Sequence, residues 1–148
     1  MKKIMKLLLA LFIFITMSGC QSQKKIYPEF TLKLFYYDTC SACNAFKQNA
    51  LPQLREEFKE SMIVEYYNLD LEEGQTAYLD IIDQLEDFDQ EYLYQTPLVV
   101  LDQKWAILGY NGASETEELI KEIQRSLNNE PLGDYYTMGR YLFKQGEE

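Results

Sequence analysis

The feature that most constrains this chain is the junction at Tyr37. An aromatic and aliphatic run from Phe30 to Tyr37 reads as a strand, and it passes through Asp38 and Thr39 straight into Cys40-Ser41-Ala42-Cys43. There the period changes. Cys43, Phe46, Ala50, Leu51, Leu54 and Phe58 recur at three- and four-residue spacing, which predicts a helix from Ser41 to Lys59 with one buried stripe. Pro52 should bend it, because its ring crowds the preceding turn and its nitrogen carries no proton. A strand that hands over to a helix within a few residues belongs to a layered α/β fold, and here the handover carries two thiols.

Further along, Met62 to Leu69 is rich in Ile, Val and Tyr and predicts a second strand. Residues 70–91 carry nine acids and no Lys or Arg, yet Tyr78, Ile81, Ile82, Leu85 and Phe88 keep a helical stripe. The expectation is one amphipathic helix with an acidic outer face. That face reads either as a solvated surface or as a docking face for a basic partner. Its acids lack the spacing and central glycine of a calcium loop. Thr96 to Leu101 predicts a third strand entered through Pro97, Asp102-Gln103-Lys104 a turn, and Trp105 to Leu108 a fourth strand completing a hairpin. After a loop from Gly109 to Ala113, Ser114 is placed to cap a last helix, with Glu117 at the capping-box position and a stripe from Leu119 to Leu127. The order is βαβαββα, an α/β sandwich with a mixed central sheet of about four strands flanked by helices. One core, in residues 30–128, suits a chain of 148 residues. Residues 129–148 form a C-terminal extension, either a short helix near Tyr135 to Phe143 packed on the body or a loose tail.

At the other end, Lys2, Lys3 and Lys6 precede an apolar run from Leu7 to Ile15, the pattern of an export signal. The run is shorter than the roughly 20 residues that span a bilayer. Met17-Ser18-Gly19-Cys20 resembles the bacterial lipobox, in which small residues lead into a cysteine that is lipidated and becomes the new N-terminus. Met17 stands where that pattern most often has Leu. The resemblance implies a signal peptide at residues 1–19, a lipid on Cys20, a polar tether at residues 20–29 and a place on the extracytoplasmic face of the cell membrane. Two or three acyl chains, at about 0.8 kcal/mol per buried methylene, would hold the protein there almost permanently. Loss of residues 1–19 removes three lysines and no acids, so the formal charge moves from −10 to −13. Such an acidic balance argues against nucleic acid as a partner. It also argues against broad contact with anionic headgroups, leaving the lipid and Lys24 and Lys25 to face the membrane.

Cys40 and Cys43 are then the remaining cysteines, in an exported and disulfide-permissive setting. Thiolate is the reactive species, and the free amides and partial positive charge of a helix N-terminus lower the pKa of the first cysteine below its usual value of about 8.5. Cys40 is therefore the candidate nucleophile. Cys43, one turn on and more buried, is the candidate resolving thiol that attacks a mixed disulfide and releases the product. A purely structural disulfide at this spacing would close a loop too small to stabilise much. Structural zinc normally needs four Cys or His ligands, and the chain has no histidine. Asn44 removes the haem-attachment signature, whereas Cu(I) could use two soft thiolates.

Together these motifs resemble the thioredoxin-like superfamily over residues 30–128. The match consists of Leu34-Phe35-Tyr36-Tyr37 leading to Cys40-Ser41-Ala42-Cys43, the Thr96-Pro97 step before a hydrophobic strand, and Gly109 to Gly112 ahead of the last helix. The resemblance implies that Pro97 is cis and packs against the cysteines, that the Thr96 backbone pairs with bound substrate, and that Ser41 and Ala42 belong to the same substrate-facing surface. It also implies thiol–disulfide exchange with exported proteins, with no cofactor beyond the redox-active Cys40–Cys43 pair, and a membrane electron-transfer partner. Two departures matter. Thr39 and Ser41-Ala42 replace the Trp and Gly-Pro that surround the cysteines in thioredoxins. Leu34 stands where they have a buried Asp, so Cys43 must lose its proton to water, to Asp38 or to another acid. A reductase is favoured, because a tethered single domain suits relay from a transmembrane donor. The reading from another class is a non-enzymatic binding lipoprotein of the same fold, docking through its acidic face, or a Cu(I) carrier.

Overall fold

β1 (Phe30–Tyr36) is covered on both faces, and the rest of the chain is arranged around it. The computed structural model describes residues 25–134 and 139–145. Phe30, Leu32 and Leu34 point into one core and Phe35 into the other, as the two-residue period of a strand requires. β1 pairs parallel with β2 (Met62–Asn68), in a register that sets Phe30 against Met62 and Tyr36 against Asn68. On its other side it pairs antiparallel with β3 (Leu98–Leu101), which forms a hairpin with β4 (Trp105–Leu108). A fifth strand, β5 (Arg140–Leu142), pairs antiparallel with β4, and the sheet order is β2-β1-β3-β4-β5.

Three helices close the sandwich. α1 begins at Ser41–Ala45, passes through a π turn at Phe46–Ala50 and continues as Leu51–Phe58. α1 and α3 (Ala113–Leu127) share one core with Leu32, Leu34, Val99, Trp105 and Ile107. α2 (Glu72–Ile82) lies on the opposite face with Phe35, Leu98, Val100 and Leu108. Gly74 permits the close approach of α2 to β2, because a Cβ there would overlap the Asn68 carbonyl oxygen.

Several expectations are corrected. Ahead of Pro52 the helix passes through a π turn, closed by the Leu51 N–H reaching back to the Phe46 carbonyl. One extra residue in that turn relieves the crowding a proline imposes. The acidic helix expected over residues 70–91 ends at Ile82. Beyond it the backbone turns outward to bond the C-terminal segment: Glu86 N–H donates to Leu142 O at 2.8 Å and Lys144 N–H to Gln84 O at 2.8 Å. α3 begins at Ala113 after Gly112, so Ser114 is not its cap. Glu115 in place of Glu117 reaches back, accepting from the Asn111 N–H at 2.6 Å. The sheet has five strands where about four were expected. In the described part of the C-terminal extension, Arg140–Leu142 is the edge strand β5, where a helix or a loose tail was expected, and residues 129–134 carry neither helix nor strand. Tyr135 to Met138, residues 1–19, Cys20 and Lys24 lie outside the described residues.

What docks β5 is a buried carboxylate. Glu122, 1% exposed, forms ion pairs with Arg125 and Arg140, the latter at 3.0 Å, and accepts from the Gly133 N–H at 2.7 Å. One α3 side chain thus gathers its own helix, the chain leaving it and the edge strand. Replacing Glu122 with Ala should cost about 3 kcal/mol, because it breaks a buried, hydrogen-bonded ion pair and leaves charge behind. Urea unfolding gives the loss, and amide exchange at Arg140 to Leu142 should accelerate before that of β1.

Tyr78 sets an alkaline limit. Its fully buried ring stacks on Tyr94, and burial pushes its hydroxyl from 10.0 up to about 12. The unfolded chain therefore gives up this proton more easily. The associated stability is intact below pH 10 and is lost as pH rises toward 12. The urea midpoint should fall across that window, and Tyr78→Phe should flatten the fall.

Candidate active site

Both parallel strands end at the same edge of the sheet, and the cysteines sit just beyond it. After Tyr36 the chain turns, held by the Cys40 N–H donating to the Tyr37 carbonyl at 3.2 Å, and α1 begins at Ser41. Cys40 occupies the cap position in extended backbone, and its sulfur accepts a hydrogen bond from the Cys43 N–H at 3.0 Å. A helix start has amides with no partner in the helix and a partial positive charge. Sulfur in the cap position takes one of those amides, and both effects favour a thiolate over a neutral thiol.

Cys43 lies one turn below. The two Cα atoms are 5.2 Å apart and the sulfurs are joined as a disulfide. Cys43 is fully buried whereas Cys40 is only partly buried, so the two residues differ in exposure. Ser41 is exposed and Ala42 half-buried at the first two helical positions.

The hairpin supplies the third component. Thr96 brings its carbonyl oxygen to 3.6 Å from the Cys40 sulfur, a position from which it would accept the proton of a reduced Cys40 thiol. The Thr96–Pro97 peptide bond is cis and Pro97 is buried. The Pro97 carbonyl accepts from the Gly109 N–H at 2.8 Å, which ties the loop of Gly109 to Gly112 to this step. Gly109 has φ +89°, a conformation glycine adopts without strain. Leu34 is fully buried, in one apolar core with Phe46 and Leu54, so β1 sends no carboxylate under the cysteines from that position.

Sequence reasoning named Asp38 beside this centre but missed the polar cluster it belongs to. The Asp38 carboxylate accepts from the Asn68 amide at 3.1 Å, and the Asp38 carbonyl accepts from the Asn44 amide at 3.2 Å. The Lys47 ammonium sits 3.1 Å from the centre of the Tyr36 ring, a cation–π contact. Burial lowers the pKa of Lys47 and the Asp38 charge opposes that shift. The hydroxyl of Tyr37 is raised by burial and by Asp70 and Tyr94. Lys47 stands four residues after Cys43 on one helix face, a signal present in the sequence. Asn68 reaches the site only through the register of β2 on β1.

Among the described residues no group of three or more His, Cys, Asp and Glu side chains is arranged to hold a metal ion. No described helix is long and apolar enough to cross a membrane. An open groove of about 510 Å³, lined by Tyr67, Glu72, Glu73, Thr76, Ala77 and Asp80, lies on the acidic side and includes neither cysteine. Comparison with family models, with curated proteins and with solved structures finds no match for this chain.

The unequal exposure of the two cysteines has a direct chemical readout. After reduction, iodoacetamide should alkylate Cys40 at least about tenfold faster than Cys43, since reactivity follows thiolate character and access. Peptide mapping after brief labelling decides it, and equal rates would remove the asymmetry on which a nucleophile and a resolving thiol depend.

Proposed function

We propose that this chain is a membrane-anchored thiol–disulfide oxidoreductase of thioredoxin-like fold that acts on exported proteins. One observation carries the reading. The sulfur of a partly buried Cys40 caps a helix start, is bonded to a buried sulfur one turn on, and faces the backbone carbonyl of Thr96 beside a cis proline.

In the reducing direction the Cys40 thiolate attacks one sulfur of a substrate disulfide. A Cys40–substrate bond forms, the substrate S–S bond breaks and one substrate thiolate leaves. The Thr96 backbone aligns the substrate segment across the cis step. Cys43 then loses its proton to water or to the departing thiolate and attacks the Cys40 sulfur. This step closes the Cys40–Cys43 disulfide and expels the second substrate thiolate, so the substrate has gained two electrons. A dithiol donor at the membrane restores the reduced pair. With Leu34 in place of a relay acid and Cys43 fully buried, no carboxylate at that position assists the deprotonation of Cys43.

Two substitutions separate these roles. Cys40→Ser should abolish reduction of a disulfide-bonded reporter protein by dithiothreitol-driven turnover. Cys43→Ser should keep the first attack and accumulate a mixed disulfide visible on a non-reducing gel. Turnover unchanged by Cys40→Ser would leave a non-enzymatic binding lipoprotein as the better reading. Equilibration with glutathione tests direction: a reductase requires a potential near about −270 mV, and one near about −120 mV would make the pair an oxidant.

A further inference from the structure

The segment that delivers Thr96 to the cysteines is held in a costly backbone conformation. Tyr94, two residues before Thr96, has φ +64°, in the left-handed region where a bulky side chain crowds its own backbone. A residue stays there only when its surroundings fix it. The neighbouring amides bond within the segment itself: Tyr92 N–H to Asp89 O at 3.0 Å, Leu93 N–H to Gln90 O at 3.2 Å and Gln95 N–H to Tyr92 O at 3.0 Å. The Tyr94 N–H leaves the segment. It donates to the Tyr78 hydroxyl at 3.1 Å, and the two rings stack with centroids 5.4 Å apart.

Tyr78 is a firm support for that contact. It is a fully buried residue of α2, packed edge-on against Phe35 at 5.5 Å in the core that also holds Leu98. Phe35 and Leu98 stand opposite each other across β1 and β3, one at the exit of β1 toward Cys40 and the other just after Thr96-Pro97. Tyr94 also lies near the turn into the site: burial, Asp70 and Tyr94 raise the hydroxyl of Tyr37, whose carbonyl accepts from the Cys40 N–H. Two residues beyond Tyr94, the Thr96 carbonyl stands 3.6 Å from the Cys40 sulfur. A shift of the Tyr94 backbone is therefore passed on to Thr96 along a very short path.

We infer that the Tyr78 hydroxyl is a positioning group for substrate: it holds Tyr94 in the left-handed conformation and so sets the Thr96 backbone against which an extended peptide segment carrying the disulfide is aligned. The inference deepens the exchange activity proposed above and rests on it. It makes the preferred substrate a disulfide on an extended peptide, because a small disulfide offers Thr96 no backbone to pair with. Tyr78 touches neither substrate nor sulfur and acts through Tyr94.

The test uses the full-length protein, reduced and freed of reductant, in single turnover with two oxidants. One is a disulfide-linked peptide carrying a quenched fluorophore, and the other is a dipyridyl disulfide. Tyr78→Phe keeps the ring and removes the hydroxyl. It should raise the half-saturating peptide concentration about tenfold with the plateau rate within about twofold, the pattern of lost binding rather than lost chemistry. The ratio of peptide to dipyridyl rate constants should fall about tenfold, the scale of a small misplacement of a positioning group. Two further variants separate positioning from general loosening of the core. Tyr94→Asn puts a residue that tolerates a positive φ at this position, and in that background Tyr78→Phe should change the ratio by less than about threefold. Tyr94→Pro leaves Tyr78 intact but cannot adopt a positive φ, and it should lower the ratio at least as far as Tyr78→Phe does. An unchanged ratio in Tyr78→Phe or in Tyr94→Pro overturns the inference. So does an equal loss with both oxidants, or an equal effect of Tyr78→Phe with and without Tyr94→Asn. Native protein that reacts with neither disulfide rejects the exchange activity, and the inference falls with it.

Discussion

Burial of β1 on both faces is the constraint from which the other elements follow. A strand whose side chains fill two cores needs a neighbour along each edge and helices on both sides, and β2, β3 and the three helices meet those needs. The parallel partner β2 forces the chain to cross back over the sheet, and α1 is that crossing. A crossing helix must begin where its strand ends, so its free amides lie at the sheet edge beside solvent. The residue placed there is Cys40, and the chemistry of the site follows from the geometry of the crossing.

The same architecture separates two ends of the molecule. Cys40, Thr96, Asp38 and Asn68 collect where β1 and β2 finish, while Tyr27, Glu57, Ser61 and Gln124 collect where they start. The strands and helices of the sandwich lie between the two ends. The C-terminal segment adds a third attachment. β5 covers the free edge of β4 and is held from beneath by Glu122, a buried acid whose charge is matched by two arginines. Covering that edge also removes a row of unpaired backbone groups from solvent.

Much of this was legible residue by residue. The run Phe30 to Tyr37, the stripe of α1, the hairpin around Asp102 to Lys104 and the stripe of α3 are local patterns, and each is found within a few residues of its expected place. What escaped depended on partners distant in sequence. Leu85 and Phe88 fit a helical stripe, yet the backbone around them bonds to Leu142 and Lys144 instead, because a strand partner was available. Glu115 rather than Glu117 braces α3 because Gly112 turns the chain one step earlier. A helical period in Tyr135 to Phe143 carries no information about the exposed edge of β4 that draws Arg140 to Leu142 into the sheet.

The sequence by itself determined the α/β class and the handover at Cys40, and it set Cys40 and Cys43 three residues apart at the start of a helix. Periodicity, turn chemistry and the spacing of two thiols are local properties. Tertiary structure alone decided which sulfur is buried, that Thr96 stands 3.6 Å from Cys40, that Asn68 and Lys47 flank the site, and that Tyr27 anchors the far end. The physical reason is that burial and hydrogen bonding between distant segments depend on strand register and helix packing. Many chain positions compete for those contacts, and only the folded core selects among them.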